Sequence, residues 1–236
     1  MRSVRKSDAP HCLAAVKREA RRVVTETEKP LVPEDWALLK DCAEAVREAL
    51  ARDQEGLCAY CGVRLIRSGG ANAMTIEHHT PRAVDVSQMF EWQNLLGVCS
   101  GRTTYNGRQI LHCDKSRAPK RLLSFHPVDD ALRIPSAFPV HVRGTSTKIR
   151  LGFITPRTPE AIGDVTELNL NAELLIENRA EVIRRLRGLL AKDGSEAHLR
   201  RLYRTATTPT AEGLPSYAHV AEAYLRRKLR DRGLQP

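Results

Sequence analysis

Leu57-Cys58-Ala59-Tyr60-Cys61, Ile76-Glu77-His78-His79-Thr80-Pro81-Arg82-Ala83, Trp92-Gln93-Asn94-Leu95-Leu96-Gly97-Val98-Cys99 and His112-Cys113-Asp114-Lys115 follow one another within a short span. Cys58 and Cys61 form a CxxC pair, and Cys99 and Cys113 lie downstream. Four thiolates close a tetrahedral zinc site and leave no open position for a substrate, so the expected ion is structural. Structural zinc contributes on the order of 10 kcal/mol in small peptides at neutral pH, and a centre rich in turns and polar side chains needs such a staple. Ser100 through His112 separate the second pair of cysteines, so a long loop has to bring the sulfurs together. His112 is an alternative nitrogen ligand beside Cys113, with an exposed place in a basic loop as the preferred reading.

Working outward, Arg64-Leu65-Ile66 and Met74-Thr75-Ile76 flank Ser68-Gly69-Gly70-Ala71-Asn72, which predicts a hairpin. Upstream, Leu39, Cys42, Val46 and Leu50 recur at helical spacing, predicting a helix over residues 34–55 with Glu34 and Asp35 in its first turn and Gly56 at its end. Cys42 lies on that apolar stripe and is expected to pack in the core, while Cys12 receives no role. Downstream, Val140, Val142, Ile149, Leu151 and Phe153 alternate around Gly144-Thr145, a second hairpin. Asn171 is placed as the cap of a helix carrying Leu175, Val182, Leu186, Leu189 and Leu190 and stopped by Asp193-Gly194. Ser216 is placed as the cap of a final helix with Val220, Tyr224, Leu225 and Leu229 inward and Arg226, Arg227, Lys228, Arg230 and Arg232 mostly outward. The expected class is α+β, divided into an N-terminal helical arm (1–56), a metal centre (57–120), and a β hairpin with C-terminal helices (121–236).

Lysine and arginine total 38 against 28 acidic residues among 236, a formal charge of +10 that suits a polyanionic partner. A basic surface alone is common among proteins that never touch nucleic acid. Met1-Arg2-Ser3-Val4-Arg5-Lys6 is charged with no apolar signal core after it, and no apolar run is long enough to span a bilayer. A soluble, cytoplasmic protein is expected, and in a reducing compartment its six cysteines are expected not to form disulfides.

The ordered motifs resemble the HNH endonuclease family, whose ββα-metal centre reads as CxxC, an acid or His before His-x-x-Pro, a central Asn, and a closing Asn, His or Asp beside the last cysteine. The resemblance implies His78 as general base, since an imidazole accepts a proton from water near neutrality. It implies Glu77 and Asp114 as ligands of a catalytic magnesium or manganese ion, and Asn94 as the residue that orients the base. It implies Cys58, Cys61, Cys99 and Cys113 as the structural zinc site. In members with a double histidine the second one is the base, which makes His79 the alternative; Pro81 at the third position after His78 favours His78.

Leu168-Asn169-Leu170-Asn171 and Arg179 extend the likeness to the PtuB-type HNH effectors of Septu and retron anti-phage systems, with Ser116-Arg117 where that family often has Lys-Gly. This implies a defence nuclease acting on nucleic acid, DNA favoured, beside a partner ATPase of the PtuA type. The apolar stripes of the terminal helices, in excess of what a small metal centre covers, are the expected docking surfaces. Two other readings stand beside it: a zinc-stapled module that binds nucleic acid or protein without cutting, and a solitary restriction or homing nuclease.

Overall fold

Spacings of three and four residues put Leu13, Val16 and Ala20 on one face of α1 (His11–Thr27), and that face is buried. In the computed structural model, which describes residues 1–66, 73–143 and 149–235, α1 packs on a 3-10 segment, Pro33–Cys42, that runs directly into α2 (Ala43–Asp53). The helix expected over 34–55 is thus wound tightly in its first half. Pro33 starts it, and the Asp35 carboxylate accepts the Val32 N–H at 2.8 Å.

Cys42 is buried as expected, but it is also joined to Cys12 in a disulfide that ties α1 to the 3-10 segment. This corrects two expectations, that Cys12 has no role and that none of the cysteines pairs. The pairing is tertiary: α1 and the 3-10 segment pack against each other and bring residues separated by 30 positions to a Cα–Cα distance of 5.6 Å.

Two small antiparallel sheets follow. β1 (Thr75–His78) pairs with β2 (Leu95–Val98), and β3 (Arg102–Tyr105) pairs with β4 (Arg108–Leu111). Asn106 and Gly107, at φ of 49° and 73°, make the tight turn between β3 and β4, so the long loop between Cys99 and Cys113 is itself a hairpin. A single 3-10 turn, Cys113–Lys115, comes next, where the family resemblance implies an α-helix. Pro119 disfavours helical backbone at Ala118 and keeps the turn short.

The predicted turns Ser68–Asn72 and Gly144-Thr145 lie outside the described residues. At the base of the first, Met74 donates to the Ile66 carbonyl at 3.0 Å, but the expected arms do not form a ladder: Thr75 and Ile76 pair with Val98 and Gly97 of β2, and Arg64 bridges to Leu57. At the second, His141 donates to Phe153 at 2.7 Å and Gly152 donates to His141 at 2.9 Å.

The rest is helical: α3 (Ile134–Ala137), α4 (Pro159–Glu167), α5 (Glu173–Lys192), α6 (Glu196–Thr207) and α7 (Ala218–Arg230). Asn171 does not cap α5; its amide brackets Ile154, accepting the N–H and donating to the carbonyl at 2.9 Å each. Ser216 does not cap α7 either, because its hydroxyl accepts the Arg64 N–H at 3.0 Å. Both caps are lost to residues brought close by packing. The inward set Val220, Tyr224, Leu225 and Leu229 is buried, as the spacing requires.

Among the described residues three large apolar cores form, beside a small cluster of Leu57, Leu214 and Ala218. One joins α1, the 3-10 segment and α2 to Met89, Phe90, Trp92 and Leu95. A second gathers the four downstream cysteines with Leu123, Phe125, Ile134, Leu168, Leu170 and Leu175, and includes Met1 and Val4. A third unites α5, α6 and α7. The apolar stripes of the terminal helices pack inside the chain, those of α1 and α2 in the first core and those of α5 to α7 in the third. Among the described residues, no helix is long and apolar enough to cross a membrane.

Candidate functional site

The cysteine frame is built from turns that the local sequence dictates. Cys58 donates its N–H to Val63 at 2.8 Å and accepts at its carbonyl from Gly62 at 3.0 Å. Gly62 sits at φ +78°, with His219 against the place where a Cβ would stand. Cys99 follows the last residue of β2. Cys113 returns to it because Gly101, at φ +65°, lets its carbonyl accept the His112 N–H at 2.9 Å and closes the base of the β3–β4 hairpin. The Cys113 N–H then donates to the Leu168 carbonyl at 2.8 Å.

All four ligand sulfurs lie within 4.8 Å of one another and are buried. Cys58–Cys113, Cys61–Cys99 and Cys99–Cys113 are separated by 4.0, 3.9 and 3.7 Å. A tetrahedral zinc–thiolate site, with zinc–sulfur bonds of about 2.3 Å, requires sulfurs roughly 3.8 Å apart, so these residues fit the ion. Burial opposes ionisation of the Cys58 thiol, yet sulfur hydrogen bonds from Cys113, Cys61 and Cys99 hold it well below its ordinary value. His112 is buried rather than exposed, with Nδ1 3.2 Å from the Cys113 sulfur. The hairpin closure at Gly101 turns it inward, where it lines a sulfur site already complete without it.

β1 carries the next two residues of the site. Glu77 and His78 pair with Leu96 and Leu95 of β2 and end the strand beside the cysteine frame. Gln54, fully buried at the end of α2, ties these parts together. Its amide donates to Leu57 at 2.8 Å and to Gly97 at 2.7 Å, and accepts the Gly97 N–H at 2.7 Å.

His78 Nε2 faces the Met89 carbonyl at 3.0 Å, so that nitrogen carries the proton and donates. Trp36 packs edge-on against the ring at 4.5 Å. Burial drives His78 down to about 4, keeping the imidazole neutral. The Asn94 carboxamide, itself buried, accepts the Thr80 N–H at 2.6 Å and donates to Thr80 at 3.1 Å and Gln88 at 3.0 Å. It therefore clamps the chain after the two histidines to the segment whose carbonyl orients His78.

His79 faces elsewhere. Its Nε2 lies 3.1 Å from the Phe125 carbonyl, and its ring centroid lies 4.2 Å from that of His126. Burial, and then His126, push it down to about 3.

Glu77, His78 and Asp114 line one cleft of about 240 Å³ together with Arg82, Arg117 and Pro81. A larger hollow of about 500 Å³ lies between α2 and Pro209–Gly213, away from these residues, and contains no histidine or cysteine. Arg117 is the participant that sequence reading missed. It contacts Glu77 through Nη2, and donates to the carbonyls of His78 at 2.8 Å and His79 at 2.9 Å. Burial raises Glu77 to about 8 and the Asp114 carboxylate adds to the rise, against the opposing pull of Arg117. Trp36 and Gln54 were missed as well, since neither belongs to a local pattern; only the Ser116-Arg117 departure drew attention to position 117.

Among the described residues, three buried side-chain polar atoms lack a hydrogen-bond partner: Tyr60 Oη within the CxxC pair, His219 Nδ1 beside Gly62, and Arg179 Nη1 on α5. No family model matches this chain, and no curated protein is significantly similar to it.

Proposed function

We propose that this chain is a metal-dependent HNH endonuclease that hydrolyses phosphodiester bonds of nucleic acid, DNA favoured, as the PtuB-type effector of a Septu or retron anti-phage system with a PtuA-type ATPase partner. The observation that supports this reading most is the meeting of Glu77, His78 and Asp114 on one cleft flanked by Arg82 and Arg117.

His78 is the general base. Its Nε2–H is engaged by Met89, so Nδ1 holds the lone pair that takes a proton from an attacking water. A ring held near 4 is unprotonated at neutral pH, which leaves that lone pair free while making it a weaker base than an exposed imidazole. Asn94 keeps the ring's anchor in place through its bonds to Thr80 and Gln88. Arg82, half-buried on the same cleft, adds positive charge that attracts a phosphate. Glu77 and Asp114 are the residues that would hold a hard divalent ion such as magnesium or manganese; Glu77, held up to about 8 by burial and by the neighbouring Asp114, would give up its proton to such an ion. When bound, that ion stabilises the charge developing on the leaving 3′-oxygen. His79, turned toward Phe125 and His126, is a positioning residue rather than the base.

The test is cleavage of plasmid DNA and of RNA with magnesium or manganese, by the chain alone and with its ATPase partner, comparing the parent with His78→Ala and His79→Ala. Loss with His78→Ala and retention with His79→Ala supports the assignment; equal cutting by the parent and His78→Ala removes His78 from the mechanism. One observation favours the second reading, a zinc-stapled binding module: Arg117 already occupies Glu77. Nucleic-acid binding with no cleavage under any metal would establish it.

A further inference from the structure

A zinc ion with four thiolates is a dianion, and here its ligands are almost wholly removed from water: Cys58, Cys61, Cys99 and Cys113 are 0, 2, 1 and 0% exposed. Uncompensated charge in such surroundings is costly, and a buried counter-charge offsets it. Among the described residues, the largest fully buried side chain is that of Arg179, on α5.

Arg179 is held without a carboxylate. Its Nε donates to Gly152 at 2.6 Å and its Nη2 to Leu170 at 2.9 Å and more distantly to Asn171 Oδ1 at 3.4 Å, while Nη1 has no partner among the described residues. Among the described residues, no acid forms an ion pair with it. Leu170 belongs to the same turn as Leu168, whose carbonyl anchors the Cys113 N–H, so one loop holds both the cation and a ligand. Leu170 shares one apolar core with the four cysteines, so the guanidinium and the cysteine frame lie in the same dry surroundings; burial lowers Arg179 to about 10, and Tyr217, Cys61 and Cys113 oppose that fall. Tyr217 is buried and donates no charge as a neutral phenol, which leaves the thiolates. Gly152 makes the approach tight: at φ +82°, a Cβ there would stand 2.4 Å from the Ile176 carbonyl.

We infer that Arg179 is the buried counter-charge of the four-cysteine metal site, setting how tightly the chain holds its structural ion. The two components are complementary. Without the ion's thiolates the guanidinium is a buried cation paired to no acid; without the guanidinium the metal cluster is a buried dianion that has lost one of its cationic neighbours. The inference depends on the cysteine frame and not on the nuclease reading.

The test separates charge from hydrogen bonding in the full-length, zinc-loaded chain. R179Q keeps an amide donor and removes the charge; R179K keeps the charge and loses the forked donor pattern. Zinc affinity is measured by competition with a chromophoric chelator, and cobalt substitution reports by its sulfur charge-transfer band that all four thiolates still coordinate. R179Q is expected to weaken zinc binding by roughly 10- to 100-fold, the range seen when groups supporting a metal's ligands are removed, and R179K to retain most of the affinity. R179Q holding zinc as tightly as the parent overturns the inference. So does R179K losing as much as R179Q, which assigns the residue to its bonds with Gly152 and Leu170 alone. Should R179Q fail to fold, R179K decides: retained affinity supports the counter-charge, and affinity lost with the cobalt spectrum intact refutes it.

Discussion

Asn94→Asp changes a single atom of the clamp on which the orientation of His78 depends. The Oδ1 acceptor for the Thr80 N–H survives, but Nδ2, which donates to Thr80 at 3.1 Å and Gln88 at 3.0 Å, becomes an oxygen facing two carbonyls. Two lost hydrogen bonds cost about 2 kcal/mol, and a carboxylate oxygen buried against two acceptors costs at least as much again, so a loss of about 4 kcal/mol is expected. Asn94→Ala forgoes all three bonds at about 1 kcal/mol each and should lose about 3 kcal/mol. The assay is urea unfolding of the zinc-loaded chain, read at unchanged m-value, with the exposed neighbour Gln93→Ala as a control that should stay within about 0.5 kcal/mol of the parent. An Asn94→Asp protein within about 1 kcal/mol of the parent would show that the amide bears none of the bonds described, since even one such bond is worth about that much. In the cleavage assay the same substitution should cost more than its stability loss explains, because the Met89 segment that orients His78 is released.

Other substitutions and conditions probe separate parts of the molecule. Metal analysis of purified protein should find zinc in the cysteine frame, and Cys58→Ser should lower both zinc content and resistance to unfolding, with a ceiling on the order of 10 kcal/mol set by what structural zinc supplies; unchanged zinc content would place the ion elsewhere. Reducing the Cys12–Cys42 disulfide, or replacing it by Cys42→Ser, reopens a loop closed over a separation of 30 residues. The expected stability loss is about 3 to 4 kcal/mol from chain entropy, and identical unfolding curves with and without reductant would count against the bond. Acid sensitivity should trace in part to His79: its pKa falls from 6.5 unfolded to about 3 folded, through burial and then His126, so the unfolded chain binds the proton first. Stability from this group is complete above pH 6.5 and declines as pH falls, by about 3 kcal/mol between pH 6.5 and 4, and His79→Gln should flatten that part of the curve.

Much of the site was legible in the sequence because its logic is local. Spacing paired Cys58 with Cys61, the hairpin pattern made Thr75 and Ile76 extended in the strand that runs on through Glu77 and His78, and helical periodicity placed Val220, Tyr224, Leu225 and Leu229 inward. The motif order also singled out Asn94 and Asp114, which the fold brings beside His78 and Glu77 respectively. Each of these readings depends on the geometry of a few consecutive residues, and such geometry is carried by residue type and period.

Other features had no local signature. Arg117 meets Glu77 across 40 residues, Gln54 meets Gly97 across 43, and Cys12 finds Cys42 across 30. Asn171 and Ser216 have the side chains of good helix caps, yet Ile154 and Arg64 claim them. Neither the inward turn of His112 nor the opposite facings of His78 and His79 could be read from their neighbours in the chain. A polar side chain buried by packing takes whichever partner the fold delivers, because leaving it unpaired costs more than its local preference is worth. Residue types and spacing thus determined the parts of this protein, and only the packing of its three cores decided which of them met.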